Sequence, residues 1–139
     1  MKRNKINPHD LKKAYISIAM TGLPDDNLEK GQQAFTILKK IGYWVYLPHN
    51  LTDYVESVIP IPQYKHYIGY DLWILSRCDL MFLIPGYEKS NGCSEEITFA
   101  LKYNIPIFNL DGNLITNFKN IAVIYLVIIH LFFENPCNC

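Results

Sequence analysis

Residues 79–85 read Asp-Leu-Met-Phe-Leu-Ile-Pro, a run that is apolar from Leu80 to Ile84 with no polar interruption. A strand with one wet face alternates apolar and polar residues. An unbroken short run therefore points to a strand covered on both faces. Such a strand belongs in a parallel sheet with helices above and below it, and the rest of the chain supplies the matching pieces. Residues 14–20 (AYISIAM) form a first β-type run, 43–48 (YWVYLP) a second that Pro48 stops, and 105–110 (IPIFNL) a fourth.

The segments between these runs carry helical spacing. The turn-rich stretch 21–27 (TGLPDDN) offers Asp25 or Asp26 as a helix cap. Ala34, Phe35, Leu38 and Ile41 then recur on one helical face, and Gly42 ends the pattern. Tyr64, Ile68, Leu72 and Leu75 form a second stripe. A third helix runs from about Gly92 to Tyr103, with Ile97, Ala100 and Leu101 inward. Residues 49–65, with Pro60 and Pro62, read as a long connection without regular structure. Strand alternating with helix gives an α/β fold: a flavodoxin-like or Rossmannoid three-layer sandwich around a four- or five-stranded parallel sheet. The chain divides into a polar N-terminal arm (1–13), a core (14–112) and an apolar C-terminal extension (113–139), all within a single domain.

Composition excludes several function classes. Thirteen basic residues balance thirteen acidic ones, so there is no broad grip for a nucleic-acid polymer. The basic, polar N-terminus has no apolar core of a signal peptide. Cys78, Cys93, Cys137 and Cys139 form no disulfide pattern, which places the chain in a reducing, cytoplasmic setting. Cys137 and Cys139 supply two potential metal ligands at a frayed terminus, and two ligands do not make a site. The apolar run 121–133 falls short of the roughly 20 residues that span a bilayer. Burial or a subunit interface is its expected use, with no membrane partner, and the apolar C-terminal region is the expected face of a homo-oligomer.

In parallel α/β sheets, ligands bind beyond the carboxyl ends of the strands, where strand order reverses. Three loops qualify: Met20-Thr21-Gly22, Pro48-His49-Asn50, and Gly86 to Ser94. His49 is the one histidine among them and reads as a surface residue. Asp71 shares the stripe of Ile68 and Leu75. A carboxylate there either reaches solvent at the stripe edge or serves a site. In the third loop, Gly92 permits a close backbone approach to a ligand, helix-opening amides attract anions, and Ser90 and Ser94 add hydroxyl donors. Glu95 follows Gly92 by three residues, the spacing of a capping box whose cap side chain is missing. Glu96 lies one residue deeper and one turn before Ala100, on the inward face. The helix dipole and nearby hydroxyls are expected to keep it ionised, as a nucleophile requires.

The segments YISIAMTG (15–22), DLWILSRCD (71–79) and PGYEKSNGCSEEITFALKYNIPIF (85–108) occur in that order. Together they resemble the nucleoside 2-deoxyribosyltransferase superfamily, and most closely its short group known as DUF4406. The pattern Ser-x-Gly-x-x-x-Glu-x-x-x-Ala falls on Ser90, Gly92, Glu96 and Ala100. The resemblance covers about residues 14–108 and implies that 14–112 is a deoxyribosyltransferase-like core. It also implies a retaining glycosyl transfer on a small-molecule nucleoside or nucleotide, with no cofactor and no metal. Glu96 would attack the anomeric carbon, Asp71 would help fix the sugar and handle protons, and Tyr15 would orient the nucleophile or the sugar. Met20, Thr21, Gly22, Ser90, Gly92 and Ser94 would bind substrate. Asp79 more naturally closes a helix-to-strand turn. A serine rather than an aspartate at Ser90 matches the nucleotide N-hydrolase branch and suits a 5′-phosphate by charge. One departure stands out: the family's first loop opens with a small pair, and here the pair is Ile18-Ala19, which would narrow the approach. The alternative is a non-catalytic nucleotide-binding module on the same scaffold, and a third reading is an assembly protein whose acids only cap helices.

Overall fold

The computed structural model describes residues 11–19 and 26–116. Four strands form one all-parallel sheet: β1 (Lys13–Ser17), β2 (Trp44–Tyr46), β3 (Leu80–Leu83) and β4 (Ile107–Phe108). Their order is β2-β1-β3-β4. Four helices connect them: α1 (Asp26–Ile41), α2 (Thr52–Val58), α3 (Tyr64–Leu75) and α4 (Asn91–Lys102). The fold is the α/β sandwich expected from the alternating runs. The chain steps from β1 outward to β2 and then back across to β3. Strand order therefore reverses at β1 and β3, and a ligand is expected above their carboxyl ends.

The two-residue period of β1 and β3 builds two cores. Ala14, Ile16 and Ile18 pack with Leu80, Phe82 and Ile84 against Ala34 and Leu38 of α1. Tyr15 packs with Met81 and Leu83 against Leu75 of α3 and Ile97 and Ala100 of α4. Apolar residues on both faces of β3 are thus explained by helices on both sides. Gly42 takes φ 108° just past α1, and Tyr43 N–H closes back on the Leu38 carbonyl at 3.2 Å. This is the left-handed glycine stop that the sequence marks.

Three local expectations change. Ile41, placed on the inward stripe of α1, is 65% exposed; as the last helical residue it lies beyond the reach of the packed face. Tyr64, at the first position of α3, is 52% exposed and leans over a cavity instead of entering the core. Residues 49–65 are not a plain loop: a 3-10 turn (Pro48–Leu51) leads directly into α2. Within α2 only Val55 is buried. One buried residue in two turns leaves no apolar stripe for periodicity to reveal.

Beyond β4 the chain turns at Gly112 and folds back. Ile115 N–H donates to the Ile107 carbonyl at 2.8 Å, Leu114 bridges antiparallel to Phe108, and Ile115 packs on the second core. The apolar run 121–133 and the terminal cysteines lie outside the described residues. Among the described residues, no helix is long and apolar enough to cross a membrane.

Candidate functional site

A cavity of about 280 Å³ opens above the carboxyl ends of β1 and β2. Ile18 lines it from β1, Pro48 and Leu51 from the turn after β2, Val55 from α2, Ile68 and Asp71 from α3, and Ser90, Gly92 and Glu96 from the start of α4. Four residues singled out from the sequence, Asp71, Ser90, Gly92 and Glu96, therefore share one hollow. Its wall is mostly aliphatic and aromatic with a few polar groups, the usual make-up of a small-molecule site.

Glu96 is 4% exposed. The Ser17 hydroxyl donates to its Oε1 at 3.3 Å. Its Oε2 and the buried Tyr15 hydroxyl have no hydrogen-bond partner among the described residues. Tyr15 and Ser17 are two apart on β1, so the pleat turns both toward α4. The Tyr15 hydroxyl falls short of hydrogen-bond geometry with Glu96 but still acts on it electrostatically. Burial raises the Glu96 pKa above the ordinary carboxylate range; the Tyr15 and Ser17 hydroxyls pull it down, while the charge of Asp71 pushes it up. The expectation of an ionised Glu96 is thus corrected. Glu96 lies beyond the first turn of α4, where the helix dipole has faded, and desolvation outweighs two hydroxyls.

Asp71 faces the same hollow. Tyr46, the last residue of β2, donates its hydroxyl to Asp71 Oδ1 at 2.9 Å. Burial pushes the Asp71 pKa up to about 6, and the Tyr46 hydrogen bond restrains that rise. Tyr46 pairs in register with Tyr15 across the sheet, their ring centroids 5.2 Å apart. Two carboxyls and two phenols thus converge from β1, β2, α3 and α4. Tyr46 and Ser17, which hydrogen-bond the two carboxyls, are not marked by the sequence as site residues. The signal for Ser17 was a polar residue inside an apolar strand, two places after Tyr15. Nothing local marks Tyr46, which reads as one more strand aromatic.

The start of α4 differs from expectation. The helix begins at Asn91, and Ser90 is its N-cap, its Oγ accepting from Cys93 N–H at 3.1 Å. The cap is therefore present, one residue before the helix and two before Gly92. Glu95 sits too deep in the helix to complete a capping box. It faces the Tyr64 hydroxyl, whose pKa burial and then Glu95 push up to about 12. Gly92 adopts ordinary helical angles and not a left-handed turn. A Cβ there would meet only Ser90 Oγ at 3.8 Å and the Tyr64 hydroxyl at 3.9 Å, so glycine keeps space open in the cavity wall. Ser94 is buried in the first turns of α4 and does not line the cavity. Met20, Thr21 and Gly22 lie outside the described residues. The last described residue before them, Ala19, has its carbonyl held by the buried Asn27 side chain.

Other singled-out residues fall outside this constellation. Asp79 ties the sheet together: its Oδ2 accepts from Lys13 N–H at 2.7 Å, and its own N–H donates to the Lys13 carbonyl at 2.8 Å. Both bonds run to β1 and not across the helix-to-strand turn, which Arg77 and Cys78 N–H close on the Ile74 and Leu75 carbonyls. His49 is partly buried in the turn after β2, its Nδ1 is unpartnered among the described residues, and burial lowers its pKa. Cys93 is buried beside Glu96, and burial first, then the Glu96 charge, push its thiol up to about 12. No group of three or more His, Cys, Asp or Glu among the described residues could hold a metal ion.

Residues 12–109 match the family described as a domain of unknown function, DUF4406. The match covers most of the chain and every described site residue, and the chain belongs to this family. No curated protein and no solved structure gives a significant match.

Proposed function

We propose that this protein cleaves or transfers the N-glycosidic bond of a deoxyribonucleoside or its 5′-monophosphate, with Glu96 as nucleophile. The observation that carries this reading is the state of Glu96. It is a buried carboxylate in a ligand-sized hollow, with Oε1 held by Ser17 and Oε2 unpartnered among the described residues. A buried polar atom left without a partner is costly unless a ligand completes it. A second carboxyl, Asp71, faces the same space with a pKa near 6. Retaining glycosyl transfer uses such a pair, one group attacking and the other moving protons.

In this scheme Glu96, whose pKa is pushed up to about 8 against about 6 for Asp71, first passes its proton to Asp71, and the ionised carboxylate then bonds to the anomeric carbon as the glycosidic C–N bond breaks. The bonding pair leaves with the base, which takes a proton from Asp71. Water or a second base then releases the sugar from the glycosyl ester. The motif order over residues 15–108 supports the same reading by resemblance to the nucleoside 2-deoxyribosyltransferase superfamily. The lining favours the nucleoside over its monophosphate: no lysine or arginine lines the described cavity, while two carboxyls do. Ser90 weighs the other way, since it avoids a third negative charge.

The test is chromatography of deoxynucleosides and their 5′-monophosphates incubated with the protein, alone and with a second base. Base release by wild type that is lost in Glu96→Gln and kept in Glu95→Gln is the expected result. Ligand binding without turnover across the panel selects the alternative, a nucleotide-binding module that keeps the scaffold without the chemistry.

A further inference from the structure

Tyr46 is not among the residues that line the cavity, yet its hydroxyl reaches one that is. It stands behind Asp71, at the end of β2, and donates to Asp71 Oδ1 at 2.9 Å. The phenol is a dependable donor here. Burial and then the Asp71 charge push its own pKa far above the ordinary tyrosine value. The bond has a directional consequence. A carboxyl oxygen that accepts a hydrogen bond from a phenol is the poorer place for a proton, so a protonated Asp71 carries its hydrogen on Oδ2.

We propose that Tyr46 is a positioning residue that fixes Asp71 by Oδ1 and so makes Oδ2 the atom that passes a proton to the leaving base. The inference rests on the glycosyl-transfer reading for the identity of that base, while the fixing of Asp71 stands on geometry alone. As the C–N bond breaks, its electron pair goes to the base nitrogen, the Oδ2 hydrogen moves onto that nitrogen, and Asp71 is left ionised. Tyr46 keeps its own hydrogen throughout. Its bond to Oδ1 strengthens as charge develops on the carboxylate.

Among the described residues, the groups facing Asp71 are few. Tyr46 comes from β2, Tyr15 from β1, Glu96 from α4, and Tyr70 adjoins on α3 itself. Tyr15 stacks on the Tyr46 ring, which holds that ring in place without needing its hydroxyl. Removing only the hydroxyl is therefore a clean perturbation. Tyr46→Phe keeps the ring and its contacts, and deletes the bond.

The deciding measurement is the titration of the Asp71 carboxyl by carbon NMR on the ligand-free protein, with Asp71→Asn identifying the signal. In Tyr46→Phe the Asp71 midpoint is expected to move further up, because the group that stabilised its charged form has gone. The same variant should lower kcat by roughly 10-fold, the usual weight of one charge-assisted hydrogen bond, with little change in KM. In an Asp71→Asn background, Tyr46→Phe should have no further effect on kcat. An Asp71 midpoint that stays put in a folded Tyr46→Phe overturns the proposal. So does a Tyr46→Phe loss of equal size in the presence and absence of the Asp71 carboxyl. Because the titration needs no turnover, inactivity of wild type toward every nucleoside would count against the catalytic reading alone.

Discussion

The Ser17 hydroxyl donates to Glu96 Oε1 at 3.3 Å across 79 residues of sequence, and leaves the buried Oε2 without a partner among the described residues. One end of the contact is the last residue of β1, the other the second turn of α4. The parallel pairing of β1 with β3 brings them together, because α4 starts just beyond β3. A buried carboxylate held on one side and unpartnered on the other is costly to the fold.

Glu96→Gln should stabilise the ligand-free protein in a pH-dependent way. The folded pKa of Glu96 is raised, chiefly by burial. Between the ordinary carboxylate value and that raised value, the folded state holds a proton that the unfolded chain releases. Wild-type stability therefore falls as pH rises through this window. Glutamine carries no charge and does not share the loss. Thermal unfolding should show Glu96→Gln ahead at pH 8, by on the order of 1–2 kcal/mol or a few degrees, with the gap closing toward pH 4. A variant equal to or below wild type at both pH values would mean that the carboxylate is not strained.

Tyr15→Phe should shift the acid side of the rate profile upward. The nucleophile must be ionised, so activity rises with pH through the Glu96 titration. The Tyr15 hydroxyl lowers that pKa, and its loss raises it. The acid limb of kcat/KM should move to higher pH, with about a 10-fold loss at neutral pH. An unmoved limb with a uniform loss would assign Tyr15 to sugar contact instead.

Ile18→Val should widen the cavity at small cost. Ile18 is buried and its Cδ1 lies 3.1 Å from where a Cβ on Gly31 would stand, so Gly31 makes room for it. Deleting one methyl group costs about 1 kcal/mol of stability. The expected kinetic result is a lower KM for nucleosides with kcat nearly constant. Steady-state kinetics on the same panel would show Ile18 to be no barrier if KM stays level.

Asp79→Ala should lower stability without touching chemistry. The side chain accepts from Lys13 N–H, far from the cavity. Its loss removes one hydrogen bond at the start of β1, on the order of 1 kcal/mol. Urea unfolding should record the loss while base release stays at the wild-type rate. A selective loss of turnover would give Asp79 a role the structure does not support.

Much of the layout was legible in the residues. The uninterrupted run in β3 called for cover on both faces, and it has α1 on one side with α3 and α4 on the other. Glu96 could be separated from Glu95 by its spacing to Ala100, because a helix puts residues four apart on one face. Asp71 was legible as an acid on an apolar stripe. Several features escaped. The 3-10 turn and α2 bury too little to leave a pattern. Ser90 has the look of a ligand contact, but α4 starts one residue earlier than its spacing suggests, which makes Ser90 the cap. Tyr46 looked like ordinary strand filling, since its partner Asp71 lies 25 residues away.

The sequence by itself determined which residues share a face: Tyr15 with Ser17 on β1, Glu96 with Ala100 on α4, Asp71 with Ile68 and Leu75 on α3. Those are consequences of the two- and 3.6-residue periods, which act within one element. Only the tertiary structure decided that Asp71 and Glu96 meet in one hollow, that Ser17 and Tyr46 hold the two carboxyls, and that Glu96 is protonated more readily than a surface glutamate. The reason is desolvation. A carboxyl's pKa depends on how much water its neighbours exclude, and those neighbours come from four separate elements that no local pattern relates.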